Sequence, residues 1–274
     1  LRKYGPPVYV KHQIVHNPYV VNDLERRGAI TVEDVDEIPE GSLVIFSAHG
    51  SPPEDFVKAK ARDLKVIDAV CPLVTKVHNE AKKYQREGKK VVLVGHQGHQ
   101  EVRGTMGQVE MTLIDGDSGQ QLSSWDSDQE VAVLTQTTLS VADTAQAIES
   151  IREKFPNAVV RNDICYATTN RQDAVKQMAG SVDLVLVIGA ENSSNCNRLR
   201  EVAESLGVPA YLINGPEEID ASWLEGAEKV GITSGASTPE VLVESVIERL
   251  APDNVTMVSG VEEDISFNLP EQLR

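Results

Sequence analysis

Short apolar runs alternate with stretches of helical spacing along almost the whole chain. Apolar runs typical of strands lie at 8–15, 29–32, 43–46, from 66 toward Cys71, and at 90–94, 112–114, 130–134, 158–161, 184–188, 209–213 and 229–232. Helical spacing occurs at 19–27, 54–62, 74–87, 141–155, 170–179, 198–206 and 240–250. This alternation predicts an α/β fold with parallel sheets. We also expect a strand at 255–258 and a long loop at 115–129.

The unusual polar clusters follow the ends of these strands, where ligands bind in parallel sheets. They recur in the same order at a period of about ninety residues. The first set is His16-Asn17, His99-Gln100-Glu101 and Ser194-Asn195; the second is His49, Thr137 and Ser237; the third is Cys71 and Cys165. The recurrence predicts three pseudo-symmetric small α/β domains around a central site. Their predicted bounds are 1–72, 73–163 and 164–252, followed by a tail at 253–274.

Composition narrows the possible partners. The chain has 274 residues and a formal net charge of −16, which argues against nucleic acid and against an anionic membrane surface. No apolar run approaches the roughly 18 residues that a membrane helix needs. Three cysteines do not make a disulfide framework, so reduced thiols and a cytoplasmic protein are expected.

Two of the three cysteines share one local setting. Cys71 and Cys165 each follow a strand and an aspartate, and each precedes a threonine-bearing helix start. Cysteines far apart in sequence suit an iron–sulfur cluster or zinc, whereas a lone cysteine is more often a small core residue. The matched settings favour metal ligands at both positions. Cys196 has a different setting and is interpreted as a core residue. The repeat places a further cysteine in sequence upstream of Leu1.

The other polar residues suit an anion and a proton donor. Imidazoles at strand ends can bind phosphate, and hydroxyl and amide donors at helix N-termini add to this, so the set predicts a diphosphate site without a Walker loop. Its members are His16, His49, His99, Ser193, Ser194, Asn195 and Ser237. An ordinary helix cap remains the alternative for the Asn-Ser-Ser-Asn segment. Burial would raise the pKa of Glu101 and make it a proton donor, with Thr137 as a relay, unless Glu101 faces solvent at a helix start.

Several motifs together resemble the LytB family, the 4-hydroxy-3-methylbut-2-enyl diphosphate reductases. They are FSAHG (46–50), DAVCPLVTKVH (68–78), GHQGHQEVRGTMGQ (95–108), TQTTLS (135–140), DICYATTNRQ (163–172), NSSN (192–195) and TSGAS (233–237). The resemblance covers essentially the whole chain. It implies three α/β domains around a [4Fe–4S] cluster that has three cysteine ligands and one iron open to the substrate's hydroxyl. The implied reaction is the last step of the non-mevalonate isoprenoid pathway, with electrons from an external donor such as flavodoxin or ferredoxin.

The resemblance also implies a role for each candidate residue. Cys71 and Cys165 resemble cluster ligands, Glu101 resembles the proton source, and Thr137 lies beside the substrate hydroxyl. The histidines, serines and Asn195 resemble the diphosphate cradle. The family's first cysteine ligand lies in an FCAGV-type motif that would precede Leu1, so the chain as given is expected to be inactive by itself. A zinc-dependent phosphate-ester hydrolase and a non-catalytic diphosphate-binding module are the alternatives.

Overall fold

The computed structural model describes residues 1–116, 121–161, 163–258, 260 and 264–274. The chain divides into two compact units, each described by itself below. The first comprises Leu1–Val15, Leu24–Ile164 and Ser266–Arg274, and the second comprises His16–Asp23 and Cys165–Ile265. No helix in the described residues is both long and apolar enough to cross a bilayer.

The first unit contains two four-stranded parallel sheets. The strands of one are β1 (Val8–Lys11), β2 (Ala29–Val32), β3 (Leu43–Phe46) and β4 (Lys65–Asp68), in the order β2-β1-β3-β4. The strands of the other are β5 (Lys90–Val94), β6 (Met111–Ile114), β7 (Val131–Thr135) and β8 (Val159–Val160), in the order β6-β5-β7-β8. The two sheets therefore have the same strand topology.

The helices of this unit are α2 (Pro53–Ala61), α3 (Pro72–Arg86), α4 (Gln100–Met106) and α5 (Val141–Lys154). Helix α1 (Pro18–Arg26) begins in the second unit and ends in the first. Strands β5 and β7 are almost wholly buried, and α3 and α5 supply apolar residues to the core around them. Each large aliphatic side chain buried here contributes about 1.5–3 kcal/mol relative to exposure.

The second unit contains one parallel sheet of three strands. They are β9 (Leu184–Ile188), β10 (Ala210–Ile213) and β11 (Val230–Ser234), in the order β10-β9-β11. Its helices are α6 (Tyr166–Ala179), α7 (Ser194–Ser205) and α8 (Glu240–Leu250). The central strand β9 has no side chain exposed, which explains its continuous apolar sequence.

The threefold repeat is confirmed. Strands β1, β5 and β9 take the same place in their sheets, as do β3, β7 and β11. The first polar position follows the central strand by five or six residues in each copy, from 11 to 16, from 94 to 99 and from 188 to 194. The α/β class with three small parallel sheets is therefore as the sequence predicts. The domain bounds at 72, 163 and 252 and the central site remain predictions.

Several element predictions differ from the structure. Strand β1 ends at Lys11 rather than at 15, because His12 takes a left-handed conformation with φ 58°. Helices α6 and α7 begin at 166 and 194 rather than 170 and 198, since Cys165 and Ser193 already act as their N-caps. Helix α4 was not predicted. The predicted strand at 255–258 is wrong: this apolar segment is exposed and pairs with no strand in the described residues. The predicted loop at 115–129 lies partly outside the described residues.

Candidate active site

Strand ends in the first unit bring two of the predicted imidazoles together. His49 follows β3 and His99 follows β5, and their ring centroids lie 6.0 Å apart at an interplanar angle of 85°. His99 is the N-cap of α4, and its Nδ1 accepts a hydrogen bond from the Glu101 backbone N–H at 3.2 Å. Because Nδ1 is the acceptor, a neutral His99 carries its proton on Nε2. That nitrogen is then a donor, as an anion requires.

Glu101 and Thr137 form a doubly hydrogen-bonded pair. The Thr137 backbone N–H donates to Glu101 Oε1 at 2.6 Å, and the Thr137 hydroxyl donates to Oε2 at 2.9 Å. Both residues are buried, with Glu101 only 4% exposed. The alternative of a solvent-facing glutamate is therefore wrong. The pair joins the first turn of α4 to the turn that follows β7.

The environment of Glu101 favours its protonated form. Burial, and to a lesser extent the charge of Asp163, raise the pKa of Glu101, and its net value is about 7. The two hydrogen bonds from Thr137 oppose this increase. A carboxyl whose pKa lies near neutrality can both hold and release a proton at physiological pH. The arrangement is thus suited to general acid chemistry.

Glycines let α4 approach the turn that carries His49. A Cβ added to Gly104 would lie 2.7 Å from the Gly50 carbonyl oxygen. A Cβ added to Gly107 would lie 2.4 Å from the Pro52 Cβ atom. Helix α4 therefore packs backbone to backbone against the segment that begins at Gly50, directly after His49. This contact sets the distance between His49 and the residues at the start of α4.

Gln136 is a site residue that sequence analysis did not single out. Its Oε1 accepts from the His96 backbone N–H at 3.0 Å, and its Nε2 donates to the Thr138 hydroxyl at 2.8 Å. The side chain is 1% exposed, so it ties together the segments that follow β5 and β7. Its only signal in the sequence is a long polar side chain directly after a fully apolar strand.

Asp163 was likewise not assigned, although it lies in a quoted motif. Its backbone N–H donates to the Thr135 hydroxyl at 3.1 Å, and its Oδ1 lies 3.2 Å from Lys76 Nζ. Its Oδ2 is buried without a hydrogen-bond partner. Burial, and then the nearby Glu80, raise the pKa of Asp163 above its usual range, and hydrogen bonds from Lys76 and Thr135 oppose this.

The second unit holds the serine and asparagine candidates. Ser193 caps α7 and accepts from the Cys196 backbone N–H at 3.4 Å, and Ser194 is the first residue of that helix. Asn195 is 6% exposed, and neither of its amide atoms has a hydrogen-bond partner. An unpaired buried amide is costly, so this side chain is suited to a ligand. The Ser237 hydroxyl lies 3.5 Å from the His16 carbonyl oxygen, so the structure brings these two predicted residues together.

Cys71 and Cys165 occupy equivalent positions in the fold. Each is the N-cap of a helix, α3 or α6, each is partly exposed, and neither is in a disulfide. A helix N-terminus favours a thiolate, which is the form that binds metal. Thiolates are the usual protein ligands of iron–sulfur clusters, so the chemistry of each of these residues fits that role. Among the described residues, no group of three or more histidine, cysteine or carboxylate side chains could by itself hold an ion.

Cys71 also lies beside the segment that carries His49. Its backbone N–H donates to the Ala48 carbonyl oxygen at 3.0 Å. The hydrogen bonds found for the Cys165 carbonyl go to the first turn of its own helix, from Thr168 and Thr169. The metal-ligand role of both cysteines remains a prediction.

Cys196 is fully buried and unlike the other two cysteines. Burial raises the pKa of its thiol, and hydrogen bonds from Ser193, Gly235 and Ala190 and the charge of Arg171 oppose this increase. A sealed thiol that holds its proton is a poor metal ligand. Its burial agrees with the interpretation of Cys196 as a core residue.

A family model and the curated relatives of the chain point to the same family. The model of the LytB protein family matches residues 1–251. A curated relative from Pseudomonas entomophila (strain L48), named 4-hydroxy-3-methylbut-2-enyl diphosphate reductase, is 50% identical over 285 residues, which cover 100% of this chain and 90% of the relative. A relative of the same name from Actinobacillus pleuropneumoniae serotype 3 is 50% identical over 284 residues, with the same coverage of both chains.

Solved structures agree with the sequence relatives. The E-1-hydroxy-2-methyl-but-2-enyl-4-diphosphate reductase from Plasmodium falciparum superposes with a TM-score of 0.93 and 34% identity, over 99% of this chain and 88% of that one. A second structure is described as (E)-4-hydroxy-3-methyl-but-2-enyl diphosphate reductase, the terminal enzyme of the non-mevalonate pathway. It has a TM-score of 0.66 and 35% identity, over 91% of this chain and 90% of that one.

Proposed function

The chain belongs to the LytB family, and from this membership we propose that it is a 4-hydroxy-3-methylbut-2-enyl diphosphate reductase. The observation that carries the chemistry is the buried Glu101, bound twice by Thr137 and next to the His99 cap. A reaction that expels a hydroxyl as water needs a proton donor, and a buried carboxyl with a pKa near neutrality can serve as one.

The reaction consumes two electrons and two protons. The allylic carbon–oxygen bond breaks, and one proton leaves with the hydroxyl as water. The second proton joins the remaining allyl carbons, at either of two positions. The products are therefore isopentenyl diphosphate and dimethylallyl diphosphate, and the diphosphate group is unchanged.

Glu101 supplies the proton in this proposal. Its raised pKa leaves a large fraction of the carboxyl protonated at neutral pH, and Thr137 holds both carboxyl oxygens in a fixed orientation. The Thr137 hydroxyl can rotate to pass a proton between Glu101 and the substrate hydroxyl. Burial of both groups keeps competing water away.

The diphosphate is bound by imidazole, hydroxyl and amide donors rather than by a lysine-bearing loop. The proposed cradle consists of the residues predicted from the sequence: His16, His49, His99, Ser193, Ser194, Asn195 and Ser237. Two features support this: the donor assignment of His99 Nε2, and the unpaired buried amide of Asn195. Because the net charge of the protein is −16, an anionic substrate must be met by such local donors against the overall field.

Cys71 and Cys165 are the proposed ligands that this chain provides to a [4Fe–4S] cluster. When bound, such a cluster would deliver the two electrons to the substrate one at a time. The family is an iron–sulfur family, and the two helix-capping thiols support the assignment. The third ligand and the electron donor, a flavodoxin or ferredoxin, are further parts of the proposal. Non-disulfide cysteines support a cytoplasmic location.

The test uses protein produced from the gene's own start codon, so that any sequence before Leu1 is included. After anaerobic reconstitution with iron and sulfide, we expect broad visible absorbance and conversion of 4-hydroxy-3-methylbut-2-enyl diphosphate by a reduced one-electron donor. The two isomeric products are separated and measured. Stoichiometric zinc, no visible band and phosphate release would instead support the phosphate-ester hydrolase. Diphosphate binding without any turnover would support the binding module.

A further inference from the structure

The sulfur of Cys196 packs against the backbone of two glycines, each of which directly follows a strand. A Cβ added to Gly189 would overlap Sγ, and so would a Cβ added to Gly235. Gly189 follows the last residue of β9, and Gly235 follows the last residue of β11. Those last residues, Ile188 and Ser234, are partners in the sheet register. The sulfur therefore fills a space that exists only because neither glycine has a side chain.

Polar groups of both segments surround the same sulfur. The Ser193 hydroxyl and the backbone of Gly235 and Ala190 oppose the rise in the pKa of the thiol that burial causes. The Cys196 backbone N–H donates to that hydroxyl in turn, at 3.4 Å. Cys196 is 0% exposed, so these contacts are made without competition from water.

The residues next to these contacts are those of the proposed cradle. Asn195 directly precedes Cys196, and its Nδ2 would lie 3.8 Å from a Cβ on Gly235. Ser237 lies two residues beyond Gly235. A larger or smaller side chain at position 196 would therefore shift Asn195 relative to Ser237. Strands β9 and β11 would stay in place, because they are hydrogen-bonded to each other.

We propose that Cys196 is a positioning residue for substrate binding: its sulfur sets the distance between the segment 189–195 and the segment 235–237, and so the spacing of the donors that bind the diphosphate. This rests on the proposed function of those donors. The role needs a small side chain with a polarizable, hydrogen-bonding tip. Serine keeps a small polar tip in slightly less space, whereas a valine would press two methyl groups against both glycines.

The test is a double-mutant cycle in which volume is removed at Cys196 and added at Gly235. Gly235→Ala alone would place a methyl group against Sγ, and it takes no positive-φ penalty at this position. Cys196→Ala alone removes the sulfur. In the double variant the new methyl group enters the vacated space, so the two changes should compensate. Cys196→Ser is the conservative variant, and Gly180→Ala is the matched glycine control, since a Cβ there meets nothing within 4 Å.

Each protein is measured for kcat and KM with the allylic diphosphate and for the Kd of inorganic diphosphate by calorimetry. For Gly235→Ala we expect KM and Kd to rise about tenfold or more with kcat changed far less, because binding groups and not the proton donor are displaced. The double variant should return to within about threefold of Cys196→Ala, and Cys196→Ser should stay within about threefold of wild type.

Additive or worse loss in the double variant would overturn the inference, as would Gly235→Ala with unchanged KM and Kd. If Gly235→Ala is recovered unfolded, a folded double variant with near-normal Kd supports the proposal, and an unfolded one overturns it. Failure of the proposed function is distinct: wild type would not reduce the substrate, while the Kd values for diphosphate would still test the spacing role.

Discussion

The Glu101 carboxylate is bound by both the backbone N–H and the hydroxyl of Thr137, at 2.6 and 2.9 Å. These residues belong to different strand–turn segments, after β5 and β7 of one sheet. The two contacts fix both oxygens of a buried acid. Strands β5 and β7 are parallel neighbours, so their carboxyl ends lie side by side. The sheet of this repeat thereby brings the proposed proton donor and its partner together.

Glu101→Gln should lower kcat by about 10²- to 10⁴-fold with little change in KM. Glutamine keeps the size and can accept from the Thr137 N–H, but it has no proton to give. The measurement is anaerobic steady-state turnover with a reduced donor. Glu110→Gln is the matched control, since Glu110 is exposed and lies just before β6. Equal turnover in both variants would exclude Glu101 as the proton source.

Glu101 should also make the protein less stable as pH rises. Its folded pKa is about 7 and its ordinary value is 4.5, so the folded state holds the proton more tightly. Below the unfolded pKa both states are protonated; as pH rises from 4.5 to about 7 the unfolded state releases its proton first, so stability is lost over this interval and the loss is complete above the folded pKa. Relative to Glu101→Gln, wild type should lose on the order of 3 kcal/mol in free energy of unfolding between pH 4.5 and 7.5.

The measurement is urea unfolding of wild type and Glu101→Gln at several pH values between about 4.5 and 7.5, at matched cluster content. It gives the difference in free energy of unfolding at each pH. A constant offset between wild type and Glu101→Gln at every pH would show that the Glu101 pKa is not raised.

The strand ends could be predicted from the sequence because apolar runs of four or five residues are a strong signal. His49 and His99 were placed correctly for that reason. Helix α4 could not be predicted, since it has seven residues, includes Gly104 and lacks an apolar stripe. The contact between Glu101 and Thr137 follows only when this helix is known. The packing of Cys196 against Gly189 and Gly235 was equally hidden, because it joins segments far apart in sequence.

His78 should act on stability in the opposite sense to Glu101. Burial, and then the charge of Lys82, lower the pKa of His78 to about 4, and its Nε2 is buried without a partner. The folded state keeps the ring neutral, so stability is present above the unfolded pKa of 6.5 and is lost as pH falls toward 4. Relative to His78→Gln, wild type should lose about 3 kcal/mol over this range.

Guanidinium unfolding midpoints of wild type and His78→Gln at pH 7.0 and 4.5 check this expectation. A midpoint difference that is the same at both pH values would contradict the neutral buried ring.

Gly104→Ala should push α4 away from the turn after His49. The added Cβ would lie 2.7 Å from the Gly50 carbonyl oxygen, and backbone on both sides leaves little room to relax. We expect a loss of about 1–3 kcal/mol in stability and a clear fall in kcat/KM. Gly180→Ala, in open space at the end of α6, is the control and should leave both quantities unchanged. A wild-type melting temperature for Gly104→Ala would show that α4 is not held by this contact.

The three cysteines should separate into two classes when each is replaced by serine. Cys71 and Cys165 are partly exposed helix caps, so Cys71→Ser and Cys165→Ser should each lower the iron and acid-labile sulfide retained after reconstitution and weaken the visible absorbance. Cys196→Ser should retain the wild-type amounts, because its sulfur is sealed against two glycines and carries its proton. Iron and sulfide assays on desalted anaerobic protein give the comparison directly. Loss of iron in Cys196→Ser equal to that in the other two, with the fold intact by circular dichroism, would mean that helix capping does not identify the ligands in this chain.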